Sequence, residues 1–156
     1  MLMKIKKMME CDYPTVDKMM NDLHLLHVKG CPEFHKDTEH IYSEQEYIEL
    51  LQNNNKICLI AEDKNIAVGF CFASIKQIQN ACMIEQQIGY IESLYVIPEC
   101  RKNGFGKELL QYVEKTLAGL DIKYLNLVVW DFNKKAIEFY ENMRFVSQRH
   151  MYTKKI

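Results

Sequence analysis

The chain has 156 residues, of which 48% are hydrophobic and 26% are charged, and its formal net charge is -1. A chain of this length can bury one core of its own, so we expect a single domain over residues 1–156. The near balance of acidic and basic residues provides no positive field for a nucleic-acid backbone, and no apolar run is long enough to span a bilayer.

The N-terminal stretch and the cysteines predict a cellular compartment. MLMKIKKMMECDYP lacks the apolar segment and the small-residue cleavage site of a secretion signal. The six cysteines include no Cys-x-x-Cys pair, and Cys58 and Cys71 lie in apolar, strand-like segments. These features predict reduced thiols and a cytoplasmic protein.

The first half of the chain predicts a strand, two helices and a hairpin. KIKKMME (4–10) is typical of a strand, and residues 13–28 carry apolar side chains at helical spacing. Ser43 and Glu46 have the spacing of a capping box, which predicts a short helix in SEQEYIELLQNNN. The strand-like segments KICLIAE and IAVGFCFASIKQI are separated by residues 63–65, as in a β-hairpin.

The second half predicts three more strands and two helices. A strand from Ile84 to Ile97 ends before Pro98, and its two-residue period places four side chains on one face: Tyr90, Glu92, Leu94 and Val96. A helix follows from Gly104 to Gly119, then the strand KYLNLVVW, a helix capped by Asp131 or Asn133, and a last strand, FVSQRHMYT. The order β-α-α-β-β-β-α-β-α-β predicts a mixed α/β (α+β) fold.

The segment RKNGFGKELL (101–110) places two glycines where a helix begins. The first turn of a helix has free N–H groups and the positive end of the dipole, and glycines let a phosphate approach the main chain. Arg101, Lys102 and Lys107 add positive charge, which suits an anion with more than one phosphate. The segment lacks the first glycine and the hydroxyl of a Walker loop, and Leu109 replaces the third glycine of the dinucleotide fingerprint. Neither of these two phosphate loops is therefore predicted.

The same segment resembles the acetyl-CoA loop of the GCN5-related N-acetyltransferase (GNAT) superfamily, whose signature is Gln/Arg-x-x-Gly-x-Gly/Ala between a long strand and a helix. Arg101, Gly104 and Gly106 match it. Downstream, NKKAIEFYENMRF (133–145) follows the family pattern Asn-x-x-Ala-x-x-x-Tyr-(x)4-Phe, and YIESLYVIPECR matches the entry into the loop. The resemblance implies a GNAT fold: a mixed, mostly antiparallel central sheet flanked by helices, with one strand splayed from its neighbour for acetyl-CoA.

The resemblance also implies how acetyl-CoA binds. Its pantetheine would lie along Leu94, Tyr95 and Val96, whose unpaired main-chain groups could bind it like an added strand. The Val96 N–H would polarise the thioester carbonyl. Asn133 is expected to hydrogen-bond the cofactor, although helix capping explains it nearly as well. The pyrophosphate would rest on the amides of the loop residues Arg101, Lys102, Asn103, Gly104, Phe105, Gly106 and Lys107.

Two residues are candidates for proton transfer. Tyr140 occupies the family's general-acid position, where a phenol can protonate the departing thiolate; the alternative is a buried tyrosine on a helix face. Glu92 is the candidate base, four residues before Val96; the alternative is a solvated or ion-paired strand glutamate. One departure from the family is Arg144, which stands where a left-handed glycine is usual and would cost about 1 kcal/mol if that backbone shape is kept.

The acceptor stays open. His24, His27, Cys31, His35 and His40 lie close together in the sequence, but their intervals match no zinc template, and no metal site is predicted. A negative rim for a cationic amine could come from loop residues that are otherwise only solvated: Glu33, Asp37, Glu39 and Glu85.

We therefore expect an acetyl-CoA-dependent N-acetyltransferase that transfers acetyl directly, in a ternary complex, to a primary amine of a small molecule such as a polyamine, an antibiotic or an amino acid. Acetylation of protein N-termini or lysines is the alternative reaction. A non-catalytic sensor or interaction module that binds acetyl-CoA is the alternative of another class. The family resemblance also suggests a homodimer.

Overall fold

A five-stranded sheet forms the centre of the fold. The computed structural model describes residues 2–156, with strands β1 Met3–Lys7, β2 Lys56–Asp63, β3 Ile66–Ile78, β4 Gln86–Val96 and β5 Leu125–Leu127. The strands are ordered β1-β2-β3-β4-β5; the first four are antiparallel, and β5 is parallel to β4. The predicted mixed, mostly antiparallel sheet is thus confirmed.

Four helices cover the two faces of this sheet: α1 Tyr13–Gly30, α2 Glu44–Gln52, α3 Phe105–Gly119 and α4 Lys134–Asn142. On one face, α3 buries Leu109 and Val113 against Leu59, Cys71 and Val96 of the sheet, and α4 packs beside it. On the other face, α1 and α2 form an apolar cluster whose buried residues include Val16, Tyr47, Phe70, Phe72 and Tyr95. Successive side chains along β3 and β4 therefore point into two separate apolar layers, one on each face of the sheet.

Local capping signals in the sequence are largely confirmed. The Ser43 hydroxyl accepts a hydrogen bond from the Glu46 N–H, and the Ser43 N–H donates to the Glu46 carboxylate. Asn133, not Asp131, caps α4, with its side-chain oxygen accepting from the Ala136 N–H. Helix α3 ends at Gly119 as predicted, but the left-handed residue after it is Asp121, with φ 56°.

Two predicted strands near the C-terminus are wrong, one in its extent and the other in its existence. Strand β5 is limited to Leu125–Leu127 instead of KYLNLVVW, and in residues 2–156 no strand follows α4, so FVSQRHMYT is not one. A strand is stabilised by a ladder partner. In the described part of the chain β4 is the only strand that pairs with β5, and nothing pairs with residues 145–153.

Strand β4 contains a bulge at Glu92, which overturns the prediction that Tyr90, Glu92, Leu94 and Val96 share a face. Ile91 lies opposite Ala73 and Ser93 lies opposite Phe72, so Glu92 is the extra residue. An extra residue reverses the side-chain alternation beyond it. Glu92 therefore faces α1 and α2, whereas Leu94 and Val96 pack in the layer beneath α3.

Candidate active site

Strands β4 and β5 diverge in the middle of β4. Their pairing ends at Ile91 and Leu127, although β4 continues to Val96 and stays paired with β3 over that length. Residues 92–96 of β4 therefore have a strand neighbour on one side only. We call the opening beside residues 92–96, beyond the Ile91–Leu127 pair, the β4–β5 gap.

The main chain of β4 presents hydrogen-bonding groups to this gap. The Ile97 N–H donates to the Val68 carbonyl at 2.9 Å, and Val96 lies opposite Gly69 in the ladder. In an antiparallel pair, this pattern turns the N–H and C=O of Val96 away from β3. The same groups of Leu94, two residues earlier, also face the gap, whereas those of Tyr95 pair with Phe70. Of the three residues predicted to line the pantetheine, Leu94 and Val96 can thus do so through the backbone.

Arg101 ties the predicted phosphate loop to the end of β4. Its Nε donates to the Val96 carbonyl at 2.8 Å, and its guanidinium lies 5.5 Å from the centre of the Tyr95 ring. This hydrogen bond uses the Val96 carbonyl, which is one of the main-chain groups that face the gap, and it does not involve the Val96 N–H. Arg101 therefore positions the loop in addition to adding positive charge beside it.

The start of α3 has the geometry of an anion-binding turn. Gly104 precedes the helix with φ 90°, a conformation that L side chains rarely adopt, and the first helical hydrogen bond runs from the Glu108 N–H to the Gly104 carbonyl. The N–H groups of the intervening residues have no acceptor within the helix. Phe105 is buried, so only its amide can contact a ligand, whereas Lys102, Asn103 and Lys107 are exposed.

Gly106 brings the gap, the loop and α4 together. A Cβ atom on this residue would lie 3.4 Å from the Phe139 ring and 3.8 Å from a Leu94 methyl group. The end of β4, the first turn of α3 and the middle of α4 are thus in contact. The motifs that the sequence separates by more than thirty positions meet here.

Tyr140 is next to Phe139 on α4 and is half-buried. Its ring lies edge-on to Phe139 and to Phe145, with centroids 5.2 and 5.6 Å apart. Burial raises the pKa of the Tyr140 phenol well above its ordinary value, and the Cys71 thiol adds to this effect. The side chain is therefore a neutral hydroxyl at physiological pH.

The end of α4 orients Tyr140. Arg144 keeps the left-handed shape that the family motif gives to glycine, with φ 67°. The Phe145 N–H donates to the Tyr140 carbonyl and the Arg144 N–H donates to the Glu141 carbonyl, which together make a Schellman motif. The contact between the Tyr140 and Phe145 rings is the apolar contact that accompanies such a motif.

Glu92 forms an ion pair on the other face of the sheet. Its carboxylate lies 2.6 Å from the Lys56 ammonium, and its side chain is 25% exposed. Burial raises the pKa of Tyr42, and the charge of Glu92 raises it further, which indicates that Tyr42 lies near the carboxylate. The observed contact is thus the ion pair that was the alternative interpretation of Glu92 from the sequence. Only one of the two carboxylate oxygens takes part in this ion pair.

A cluster of rings joins the end of α1 to the segment after β5. The His27 and His35 rings stack at 5.4 Å, and Trp130 contacts both His35, at 5.0 Å, and Phe34, at 5.8 Å. Phe132 lies 6.2 Å from His27 and fills the space in which a Cβ on Gly30 would stand. From the sequence, these histidines were candidates for metal ligation, substrate contact or surface exposure. The sequence signal that could have revealed the cluster is the presence of aromatic residues both after α1, at 34, and after β5, at 130 and 132.

Side chains on one face of α1 hold the loop between α1 and α2. Asp17 accepts from His40 at 2.8 Å, Asn21 donates to the Glu39 carbonyl, and His24 bonds the Lys36 carbonyl. These residues are spaced by one turn of helix, so they lie in a row along α1. Glu33, Asp37, Glu39 and Glu85, considered for a negative rim, are all exposed.

Across residues 2–156, no three His, Cys, Asp or Glu side chains are arranged to hold a metal ion. In the same described residues, none of the helices is both long and apolar enough to cross a bilayer.

Comparison with known proteins identifies the family. The sequence model of the acetyltransferase (GNAT) family matches residues 20–145, which include the gap, the loop and α4. The chain belongs to this family. The resemblance found in the sequence is therefore confirmed, and with it the prediction of the N-acetyltransferase class.

Individual relatives differ in what they acetylate. N-alpha-acetyltransferase 60 of Danio rerio is 30% identical over 70% of this chain, which spans about half the length of that relative. Aminoglycoside N(6')-acetyltransferase type 1 of Salmonella enteritidis is 29% identical over 63% of this chain and 68% of its own length. The solved structure of aminoglycoside N-acetyltransferase AAC(6')-Iy in complex with CoA superposes with a TM-score of 0.74 at 17% identity, covering 98% of this chain and 99% of that one.

Proposed function

We propose that this chain transfers the acetyl group of acetyl-CoA to a primary amine, directly in a ternary complex, and that residues 1–156 act as one catalytic domain. The observation that carries the proposal is the β4–β5 gap, where the N–H and C=O of Leu94 and the N–H of Val96 are unpaired beside the glycine-containing turn of α3. Few folds leave such groups open in the middle of a sheet, because they are costly unless a ligand pairs with them.

Acetyl-CoA supplies the activated acyl group, and the chain's residues would hold it at three places. Leu94 would pair through its main-chain N–H and C=O with the amides of its pantetheine, as a strand pairs with its neighbour, and Val96 would lie alongside. The amides at the start of α3, with Lys102 and Lys107, would bind its phosphates. The free Val96 N–H would donate to the carbonyl oxygen on which negative charge develops.

The Tyr140 hydroxyl would hold the proton that the leaving sulfur needs. Burial makes this phenol a weaker acid, since it raises its pKa. The same apolar surroundings also make a thiolate more basic, so what governs transfer is the difference between the two groups. Burial likewise raises the pKa of the Cys71 thiol, which disfavours an acyl-enzyme at that residue and supports direct transfer.

Glu92 would act from the side of α1 and α2, where the acceptor amine would enter. An alkyl ammonium has a pKa of about 10, so a base must take its proton before attack at neutral pH. The oxygen of Glu92 that does not contact Lys56 is available to a water molecule or to the amine. This side also carries the Phe34, His35 and Trp130 rings, which can stack against a cationic acceptor.

We propose a small amine as the preferred acceptor, on the strength of the aminoglycoside relative and of these rings. Protein N-termini are the second candidate, favoured by the N-alpha-acetyltransferase relative. A groove of about 710 Å³ between α1 and the end of β4 would admit a peptide; its lining includes Lys18, Asp22, Tyr95 and Glu99.

The test is release of CoA thiol from acetyl-CoA in the presence of polyamines, aminoglycosides, amino acids and N-terminal peptides, first pooled and then separated. Tyr140→Phe should lower kcat by about a hundredfold while the affinity for acetyl-CoA changes less than about twofold, because only the proton donor is lost. Tyr112→Phe, on the exposed side of α3, is the matched control and should be unaffected.

The outcomes separate the candidates. The acceptor that supports turnover names the substrate class, and unchanged kcat in Tyr140→Phe would remove the assigned acid. Binding of acetyl-CoA without thiol release for any acceptor would favour the sensor or interaction module.

A further inference from the structure

Four of the five histidines of the chain lie where α1 meets the loop that follows it: His24 and His27 on the helix, His35 and His40 in the loop. Each takes part in a contact between the helix and the loop. His24 bonds the Lys36 carbonyl at 2.7 Å, and His40 bonds the Asp17 carboxylate at 2.8 Å. His27 and His35 stack with their ring centroids 5.4 Å apart. The loop is therefore attached to α1 through groups whose charge changes near neutral pH.

His27 has no compensating negative charge beside it. The titratable groups that act on its pKa are His24, on its own helix, and His35, in the loop; among residues 2–156 no carboxylate contributes. From the segment after β5 the uncharged ring of Phe132 faces it edge-on at 6.2 Å, and Asp131, the charged neighbour of Phe132, is exposed to solvent. Burial lowers the pKa of His27, and both histidines lower it further. A proton on His27 is therefore bound more weakly here than in water.

The other two histidine contacts respond to acid in the opposite direction. A positive charge on His40 strengthens its hydrogen bond to the buried Asp17 carboxylate. A protonated His24 still donates from Nε2 to the Lys36 carbonyl. Acid therefore leaves the loop attached to α1 from residue 36 onward, and the contact that it weakens is the stack of His35 on His27.

Residues 31–35 form a turn that is held against the fold by its rings. Its backbone hydrogen bonds are internal and run from the N–H groups of Phe34 and His35 to the Cys31 carbonyl. Outside the turn, the His35 ring contacts Trp130 at 5.0 Å in addition to His27, and the Phe34 ring lies 5.8 Å from Trp130. Phe34 is 60% exposed. Ring contacts of this kind are individually weak, so a charge on one ring can outweigh them.

We propose that protonation of His27 releases the turn 31–35 from the ring cluster, so that the Phe34 and His35 rings leave Trp130 in mild acid. The turn then moves between two fixed points, the end of α1 before it and the His24–Lys36 contact after it. With the turn in place, protonated His27 and His35 would be like charges 5.4 Å apart, which repel. Release separates the two rings and lets water solvate both charges.

Trp130 is the only tryptophan of the chain, so its fluorescence reports on this contact. Quenching by acrylamide measures how far solvent reaches the indole, and it needs neither acetyl-CoA nor an acceptor. In the unmodified protein the quenching constant should rise as the pH falls from about 7.5 to about 5. The midpoint should lie below about pH 6.5, because His27 takes up its proton at a lower pH than an ordinary histidine. In His27→Phe, which keeps a ring but does not titrate, the quenching constant should not change.

A second histidine variant and a fold measurement serve as controls. His150 is exposed and lies outside the ring cluster, so His150→Phe should show the same rise in quenching as the unmodified protein. Far-ultraviolet circular dichroism should stay constant over the same pH range, which separates release of the turn from unfolding. If His27→Phe does not fold, His27→Gln gives the same comparison, because an amide does not titrate.

One consequence rests on the proposed function, in which the Phe34 and His35 rings stack against a cationic acceptor. Release of the turn removes such a contact, so the KM for the acceptor should rise about tenfold between pH 7.5 and pH 5. The KM for acetyl-CoA should change less than about twofold, and in His27→Phe neither KM should rise. A rise in quenching without a rise in the acceptor KM would support release of the turn and remove the rings from the proposed acceptor site.

Two results would overturn the proposal. A quenching constant that stays the same in the unmodified protein between pH 7.5 and pH 5 would mean that the turn remains on Trp130. A rise of equal size in His27→Phe would mean that a group other than His27 releases the turn.

Discussion

At the scale of single residues, the bulge at Glu92 has the largest effect on the site. One extra residue turns this carboxylate toward α1 and α2 while Leu94 and Val96 stay on the α3 side. In the proposed function the two reactants would approach from different directions, with the acyl donor in the gap and the amine on the Glu92 side. The ion pair with Lys56 holds the carboxylate in this position.

Glu92→Gln should lower kcat/KM at pH 7 by about a hundredfold, and the deficit should shrink as the pH approaches the amine's own pKa of about 10, where no base is needed. The measurement is a pH–rate profile with the best acceptor. Glu114→Gln, exposed on α3, is the control. A deficit that is the same at every pH would mean that Glu92 has a structural role through Lys56 and is not the base.

The backbone conformation of Arg144 is expected to affect stability more than its side chain does. An L residue with φ 67° pays a strain cost that glycine avoids. Arg144→Gly should therefore raise the free energy of unfolding by about 1 kcal/mol. Urea denaturation measures this, and Arg144→Ala is the control, since it removes the guanidinium but keeps the Cβ. If alanine stabilises as much as glycine, the side chain and not the backbone is responsible.

At the scale of elements, the α3 N-terminus shows how a turn is shaped before any ligand arrives. Gly104 supplies the left-handed residue, Arg101 ties the turn to β4, and Phe105 anchors it in the core. A turn fixed by the fold loses little entropy when it binds a phosphate.

Gly104→Ala should destabilise the protein by about 1 kcal/mol and weaken acetyl-CoA binding. The new Cβ would lie 3.6 Å from the nearest atom, of Met3, so the effect comes from the backbone and not from a clash. Gly119→Ala is the matched control, because its Cβ would meet nothing within 4 Å and its φ is not left-handed; it should be neutral or stabilising by about 0.5 kcal/mol. Calorimetric titration with acetyl-CoA and urea denaturation give both numbers, and equal behaviour of the two variants would contradict the assignment.

At the scale of the whole molecule, the ring cluster joins the end of α1 to the segment after β5. Burial lowers the pKa of His27, and the neighbouring His35 and His24 lower it further. In the unfolded chain His27 takes up a proton near pH 6.5, whereas in the folded chain it does so only at lower pH. The contribution of neutral His27 to the free energy of unfolding is therefore complete above pH 6.5. It is lost as the pH falls from 6.5 through the lower pKa that His27 has in the folded chain.

Unfolding free energies measured between pH 8.5 and 5 should show this loss. His27→Phe keeps a ring in the cluster without a titrating group, so its stability should fall less steeply below pH 6.5. Above about pH 7.5 the two curves should run parallel, which serves as the internal control. Curves that stay parallel down to pH 5 would mean that His27 does not contribute to the acid loss.

The sequence by itself determined what depends on neighbouring residues: the Ser43–Glu46 capping box, the apolar faces of α1 and α3, and the glycine turn before α3. These features follow from local dihedral preferences and hydrogen bonds over three or four positions, which a short segment carries within itself. Only the tertiary structure decided the bulge at Glu92, the direction of the Leu94 and Val96 amides, the contact between His35 and Trp130, and the absence of a strand after α4. Each of these depends on register or packing between segments that are far apart in the chain. A shift of register by one residue moves the side chains of a strand to the opposite face of the sheet, and the local sequence pattern does not reveal such a shift.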